Sequence, residues 1–181
     1  MFLDPKLLTV DMGEGTNLVL ANTEAGRGFH LRSVPLAPGE RVTKNAFESF
    51  AVGYVKSAHV KQLSASRLTF KGLPSYQFDP AFPDGKGVAV RLLHANQQLY
   101  VLQALSVEAP VDPKEAESIF QGFNFIGTPE PVALTETDVD NMAERGRLAG
   151  QGCVTLMLLV GVEVAVYFVA RSRRKPAARP G

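Results

Sequence analysis

Apolar positions along residues 1–126 recur at two periods, one of a half-buried strand and one of an amphipathic helix. Thr16–Ala21 is a short apolar run with β-branched members. Gly26-Arg27-Gly28 interrupts it and Phe29–Leu36 follows, which predicts a hairpin. After a Pro38-Gly39 turn, Thr43 is a candidate N-cap. Ala46, Phe47, Phe50, Ala51, Tyr54, Val55 and Ala58 then recur at helical spacing, with Lys44, Glu48, Ser49 and Lys56 on the opposite side. Four strands are expected next: Val60–Phe70, Gly72–Phe78 with a break at Pro74, Gly87–His94 after an Asp84-Gly85 turn, and Leu99–Val107 after a turn at Asn96-Gln97-Gln98. The last of these is apolar on both faces except for Gln103, the pattern of a central strand covered on each side. A second helix follows. Asp112 is its N-cap, Pro113 its first residue and Glu115 the third, while Ala116, Ile119, Phe120 and Phe123 form its apolar face and Gly122 its end. Phe123 and Phe125 read as a strand-like exit. The order β, β, α, four β, α predicts an α+β fold, an antiparallel-rich sheet with helices packed on it.

Beyond this domain the pattern changes twice. Residues 127–147, with Pro129, Pro131, Glu130, Glu136, Asp138 and Asp140, read as an acidic linker that ends in a short helix around Thr137–Arg147. Residues 148–170, LAGQGCVTLMLLVGVEVAVYFVA, hold one charge in 23 positions. About 20 predominantly apolar residues span a bilayer as a helix, so this stretch predicts one C-terminal transmembrane helix. Tyr167 and Phe168 suit an interface, and Arg171, Arg173, Arg174 and Lys175 form a basic membrane-interface flank in the tail 171–181. By the positive-inside rule the tail is cytoplasmic and the domain lies across the membrane. The opening MFLDPKLLTVDMGEG places Asp4 and Pro5 where a signal peptide needs a basic and then a long apolar region. Two expectations therefore stand side by side: an exported domain whose start lies upstream, or a tail-anchored protein with a cytosolic domain.

Glu163 falls roughly 6 Å off the midplane of that segment, where a charged carboxylate costs on the order of 2.5–3.5 kcal/mol. Gly161 and Ala165 flank it as a small-xxx-small pair that lets another helix approach. One reading is an assembly site, by self-association or with a partner helix. The other is a protonated Glu tolerated by an otherwise apolar helix. Cys153 reads as a small packing residue rather than an acylation site.

Charge and composition narrow the function. The chain has 181 residues and a formal net charge of +1. The tail holds five basic residues and no acid; Glu163 aside, residues 1–170 hold 14 basic and 17 acidic ones. A mildly acidic body is no nucleic-acid surface. One cysteine leaves no intrachain disulfide and no cysteine-based zinc site. His30, His59 and His94 lack metal-ligand spacing. His59 reads as a cation near a helix end and His94 as a surface residue. Gly13-Glu14-Gly15 and Gly26-Arg27-Gly28 lack the context of a phosphate loop, and there is no nucleophile elbow. Asp79 and Asp84, in FDPAFPDGKG, are open to a paired acid–base reading, but Pro, Asp and Gly explain them as turn chemistry. Tyr76, Phe78 and Phe82 are core if buried and a recognition patch if exposed. No catalytic residue, metal ligand or cofactor is expected.

Gly72-Leu73-Pro74 at a strand end, Leu99-Tyr100-Val101-Leu102 in a hairpin arm and the helix closing Phe120–Phe125 together resemble PsbP-like domains. That family includes the photosystem II extrinsic protein, a Ran-binding nuclear import factor and lipoproteins of the LpqN and DcrB type. The resemblance covers residues 68–125 well and, by element order, most of 1–126. The chain lacks the family's usual tryptophan-containing opening and holds no Trp. The resemblance implies an α/β/α sandwich that acts by binding partners, and it transfers no functional residue. The expectation is a membrane-anchored accessory or assembly domain that docks a protein partner and is not an enzyme. The alternative is a small-molecule or lipid-binding module on the same anchor.

Overall fold

The computed structural model describes residues 6–8, 16–22, 26–36, 42–43, 45–107, 109–125, 127–132, 134–135 and 142–173. Side chains are placed for Leu18 and for 26–36, 42, 45–107, 109–125, 127–132 and 142–158 of these. Twelve elements follow one another: β1 (Lys6–Leu8), β2 (Thr16–Asn22), β3 (Arg27–Pro35), β4 (Val42–Thr43), α1 (Ala46–Ala58), β5 (Lys61–Phe70), β6 (Leu73–Ala81), β7 (Gly87–Ala95), β8 (Gln98–Ser106), α2 (Pro113–Gln121), β9 (Leu134–Thr135) and α3 (Met142–Arg173).

Seven strands form one antiparallel sheet in the order β1-β2-β3-β8-β7-β6-β5. The strand that is apolar on both faces, β8, is the middle one, and every residue of its neighbour β7 is buried. The turns follow from backbone chemistry. Asn96 and Gln97 both have positive φ, 53° and 55°, the twist of a two-residue hairpin turn that joins Ala95 to Gln98. Lys71 and Gly72, at 51° and 80°, do the same between Phe70 and Leu73. Pro74 is the residue before the β6–β7 ladder starts at Ser75↔Leu93, so its missing N–H falls outside that ladder.

The sheet separates two cores. On one face Val88, Val90 and Leu92 of β7 and Leu99, Val101 and Leu105 of β8 meet Phe47, Phe50 and Tyr54 of α1 and Met142, Ala149, Cys153 and Met157 of α3. On the other face Ala89, Leu93, Leu102 and Ala104 meet Ala116 and Phe120 of α2. The result is an α/β/α sandwich. Asp112 caps α2 by accepting from the Lys114 and Glu115 amides at 2.9 and 3.1 Å. The Glu115 carboxylate turns away to Arg27 at 3.1 Å, so the expected capping box is half made.

The structure differs from the sequence expectation at several places. Thr43 belongs to β4, and α1 starts at Ala46 behind Asn45, which makes no side-chain cap bond. Residues 123–125 form no strand; Phe123 and Phe125 instead ring Tyr100, with centroids at 5.9 and 5.3 Å. The acidic stretch 127–147 contacts the domain near its start and, through β9, the β4 strand. Pro131 bridges Ala95, Asn96 exchanges two 2.8 Å bonds with Glu130, and β9 pairs in parallel with β4. Finally, α3 is one helix that begins at Met142, and its first half belongs to the domain.

That last difference has a definite physical cause. A methyl on Gly53 of α1 would lie 1.9 Å from the Ala143 carbonyl oxygen. One on Gly146 would lie 1.9 Å from the Phe50 oxygen, and one on Gly150 would lie 2.5 Å from the Tyr54 oxygen. Glycines with no side chain let the two helix backbones touch, the small-xxx-small device applied inside a folded domain. The expected turn Gly13-Glu14-Gly15 lies outside the described residues.

Candidate functional site

Most of the buried polar groups serve the fold. On the α2 face, Arg91 of β7 is 2% exposed. Its guanidinium lies 4.7 Å from the Phe70 ring and 4.6 Å from the Phe120 ring. It donates to Gln77 Oε1 and to Glu117 Oε2, each at 2.5 Å. Arg91 holds the Glu117 carboxyl below its usual range. The site is a cation bolted between strand and helix.

On the α1 face, Gln103 of β8 has a clear role. Gln103 Nε2 donates to the Tyr54 hydroxyl at 2.9 Å, and Gln103 Oε1 lies 2.6 Å from His30 Nδ1. Because Oε1 only accepts, His30 carries its proton on Nδ1. Burial lowers the His30 pKa and pushes the Tyr54 phenol well above its ordinary value, so both are neutral.

His94 is a correction to the sequence expectation. It is 4% exposed, not a surface residue, because β7 is covered on both faces. Its ring stacks on Phe47 at 4.7 Å, and both ring nitrogens are buried without a hydrogen-bond partner. Burial, with a smaller contribution from Arg145, lowers its pKa to about 3. His59 is exposed and ends α1 in a left-handed conformation at φ 53°. Among the described residues no group of three His, Cys, Asp or Glu side chains is placed to hold a metal.

The two aspartates each have their own partner. Asp79 accepts from Ser64 and from Gln77, and Asp84 pairs with Lys86 at 2.5 Å within its exposed turn. Lys86 holds the Asp84 carboxyl below its usual value. Tyr76 and Phe78 are core, at 7% and 0% exposed, and Phe82 is partly buried against the same core cluster. Gly26-Arg27-Gly28 is the entry to β3. Cys153 is a packing residue, 1% exposed between α3 and α1.

One concave feature combines charge with an apolar wall. Between α3 and the sheet lies a cleft of about 50 Å³. Arg32 and Val34 of β3 and Leu99 and Val101 of β8 form its floor; Phe50 of α1 and Arg145, Leu148 and Ala149 of α3 close it. Arg32 Nε is buried and has no hydrogen-bond partner. Burial also lowers the pKa of this guanidinium, the mark of a cation partly stripped of water. Sequence reasoning singled out neither arginine. The one available signal was Arg32 as a charge within the apolar run Phe29–Leu36.

Glu163, Gly161 and Ala165 lie in the helical backbone of α3, and their side chains fall outside the described residues, as do those of Arg171 and Arg173. Arg174 and Lys175 lie outside the described residues altogether. Among the described residues no helix is long and apolar enough to cross a membrane; the placed side chains of α3 end at Leu158.

No family model matches the chain, and no curated protein matches it. Among solved structures it is similar to the solution structure of cyanobacterial PsbP (CyanoP) from Synechocystis sp. PCC 6803. The identity is 11% and the TM-score 0.46, over 65% of this chain and 76% of that one. A likeness at this level carries no argument about activity or partners. The findings do not extend to the lipoprotein and import-factor members of the sequence resemblance.

Proposed function

We propose that this chain is an accessory domain held at a membrane by α3, where it docks a protein partner. The observation that carries the reading is the continuity of α3, which runs unbroken from Met142 to Arg173. Its first half is clamped on α1, and its second half carries the apolar run that ends at Ala170, followed by Arg171, Arg173, Arg174 and Lys175.

The clamp adds a constraint. Among the described side chains the packing reaches Met157, and we assign 158–170 to the membrane. Those residues make about 20 Å of helix at 1.5 Å each, against a hydrocarbon core of about 30 Å. A docked α3 therefore seats the domain directly on the bilayer. Phe50 faces Gly146, and both Tyr54 and Ser57 face Gly150, so α1 and α3 run the same way. The end of α1, with exposed Lys56 and His59, and the start of β5 at Lys61 then face the head groups, beside exposed Leu158. Glu163, flanked by Gly161 and Ala165, is the place for contact with a second helix. The positive-inside rule puts the tail in the cytoplasm and the domain on the other side, with the tail-anchored orientation as the alternative. The partner-facing surface is the free edge of β5, where Leu63 is 65% exposed at an irregularity of the β5–β6 ladder.

The test expresses the full chain and a version ending at Leu158, and follows both through alkaline extraction of membranes. The full chain is expected to stay in the membrane pellet and the shortened one to leave it. A full chain that is extracted overturns the anchor. A photo-reactive residue at position 63 should yield a reproducible protein adduct in native membranes; its absence overturns the docking role.

A further inference from the structure

We propose that the cleft between α3 and the β3–β8 strands binds a small organic carboxylate with a short apolar chain, its carboxylate on Arg32. The proposal is independent of the membrane reading. Two observations support it. Among the described residues the cleft is lined by two guanidiniums, Arg32 and Arg145, and by no acid. Arg32 Nε is buried without a hydrogen-bond partner, so a donor of the planar fork points at no acceptor. Burying such a donor unmet is unfavourable, and a carboxylate oxygen is its natural complement.

The remaining wall selects the class of anion. Val34, Leu99, Val101 and Leu148 offer no polar side-chain atom. An inorganic phosphate would press oxygens against that wall without partners, whereas a carboxylate directs its two oxygens to one side and its chain to the other. A volume of about 50 Å³ holds only a few heavy atoms, far less than a lipid acyl chain. Leu148, 45% exposed, stands at the cleft where a longer chain would emerge.

The test uses the full chain, in aqueous buffer or, if it inserts, in lipid nanodiscs, titrated with butanoate, butanamide and inorganic phosphate and followed by calorimetry. Butanoate is expected to bind saturably, butanamide not at all, and phosphate about tenfold or more weaker. Arg32→Met keeps the packing stem and removes the charge; it is expected to weaken butanoate by about tenfold or more with the melting temperature retained. If that variant does not fold, Leu148→Glu decides, since it alters an exposed position and repels the anion. Absence of saturable butanoate binding overturns the proposal. So does phosphate binding as tightly as butanoate, and so does butanoate affinity unchanged in the variant that folds.

Discussion

At His94 position overrides chemistry. An imidazole ordinarily titrates near neutrality, yet this one is stacked on Phe47 with both nitrogens out of reach of water. Folded, its pKa is about 3, against an ordinary value of 6.5. Between those values the unfolded chain holds a proton that the folded chain refuses. Stability is therefore fully present above about pH 6.5 and is lost as the pH falls toward 3, at up to about 1.4 kcal/mol per pH unit. His30 shifts in the same direction. The carboxylates held low, Asp84, Glu117 and Glu144, lose their contribution only below about 4.5, so urea titrations between pH 7 and 5 isolate the histidines. His94→Phe is expected to leave stability at pH 7 within about 1 kcal/mol and to flatten the pH dependence in that window. An unchanged slope would place the acid sensitivity elsewhere. The sequence could not show this burial: Gly87–His94 reads as a strand in either case, and only the partners of that strand decide how many of its faces are covered.

Elements were more legible than residues. Period and turn chemistry locate β2, β3, α1, β5 to β8 and α2 to within a few residues, because each signal is local. The middle position of β8 was legible for the same reason, its apolar residues on both faces. Helix α3 was not legible in this way. Its apolar residues suit a protein core and a lipid core alike, so the run from Leu148 onward does not by itself show that its first half packs on α1. The mark that exists is the spacing of Gly146 and Gly150, and its meaning depends on a helix some ninety residues earlier. Gly146→Ala is expected to destabilise the domain by about 3 kcal/mol, as an overpacked contact does. Gly152→Ala, with nothing within 4 Å of the added methyl, is expected to stabilise it by up to about 1 kcal/mol through helix propensity alone. Urea denaturation of the two variants checks both signs; equal effects would mean that the two helices do not touch at Gly146.

At the scale of the whole molecule the three layers share one internal reporter. The chain has a single cysteine, and Cys153 is 1% exposed where α3 meets α1. Its maleimide labelling is expected to be at least about a hundredfold slower in the native chain than in denaturant, since reaction must await separation of the helices. Fast native labelling would show that α3 stands away from the domain. The candidate cleft belongs to this scale too. Arg32, Leu99 and Arg145 are brought together by sheet order and the α1–α3 clamp, and nothing local in the sequence announces such a meeting.

Among the described residues the sheet ends at β5, and residues 61–67 of that strand are all exposed. A bare edge is a template for any other extended chain, including the same edge of a neighbouring copy. Were the chain held at a membrane as proposed, confinement to that surface would raise the frequency of such encounters far above that in free solution. The shift of register between Gln62 and Ser64 and the cations Lys61 and Arg67 break the flatness and uniformity that stacking into fibrils requires. These features add little to the folded state of one molecule; their value lies in keeping many molecules apart.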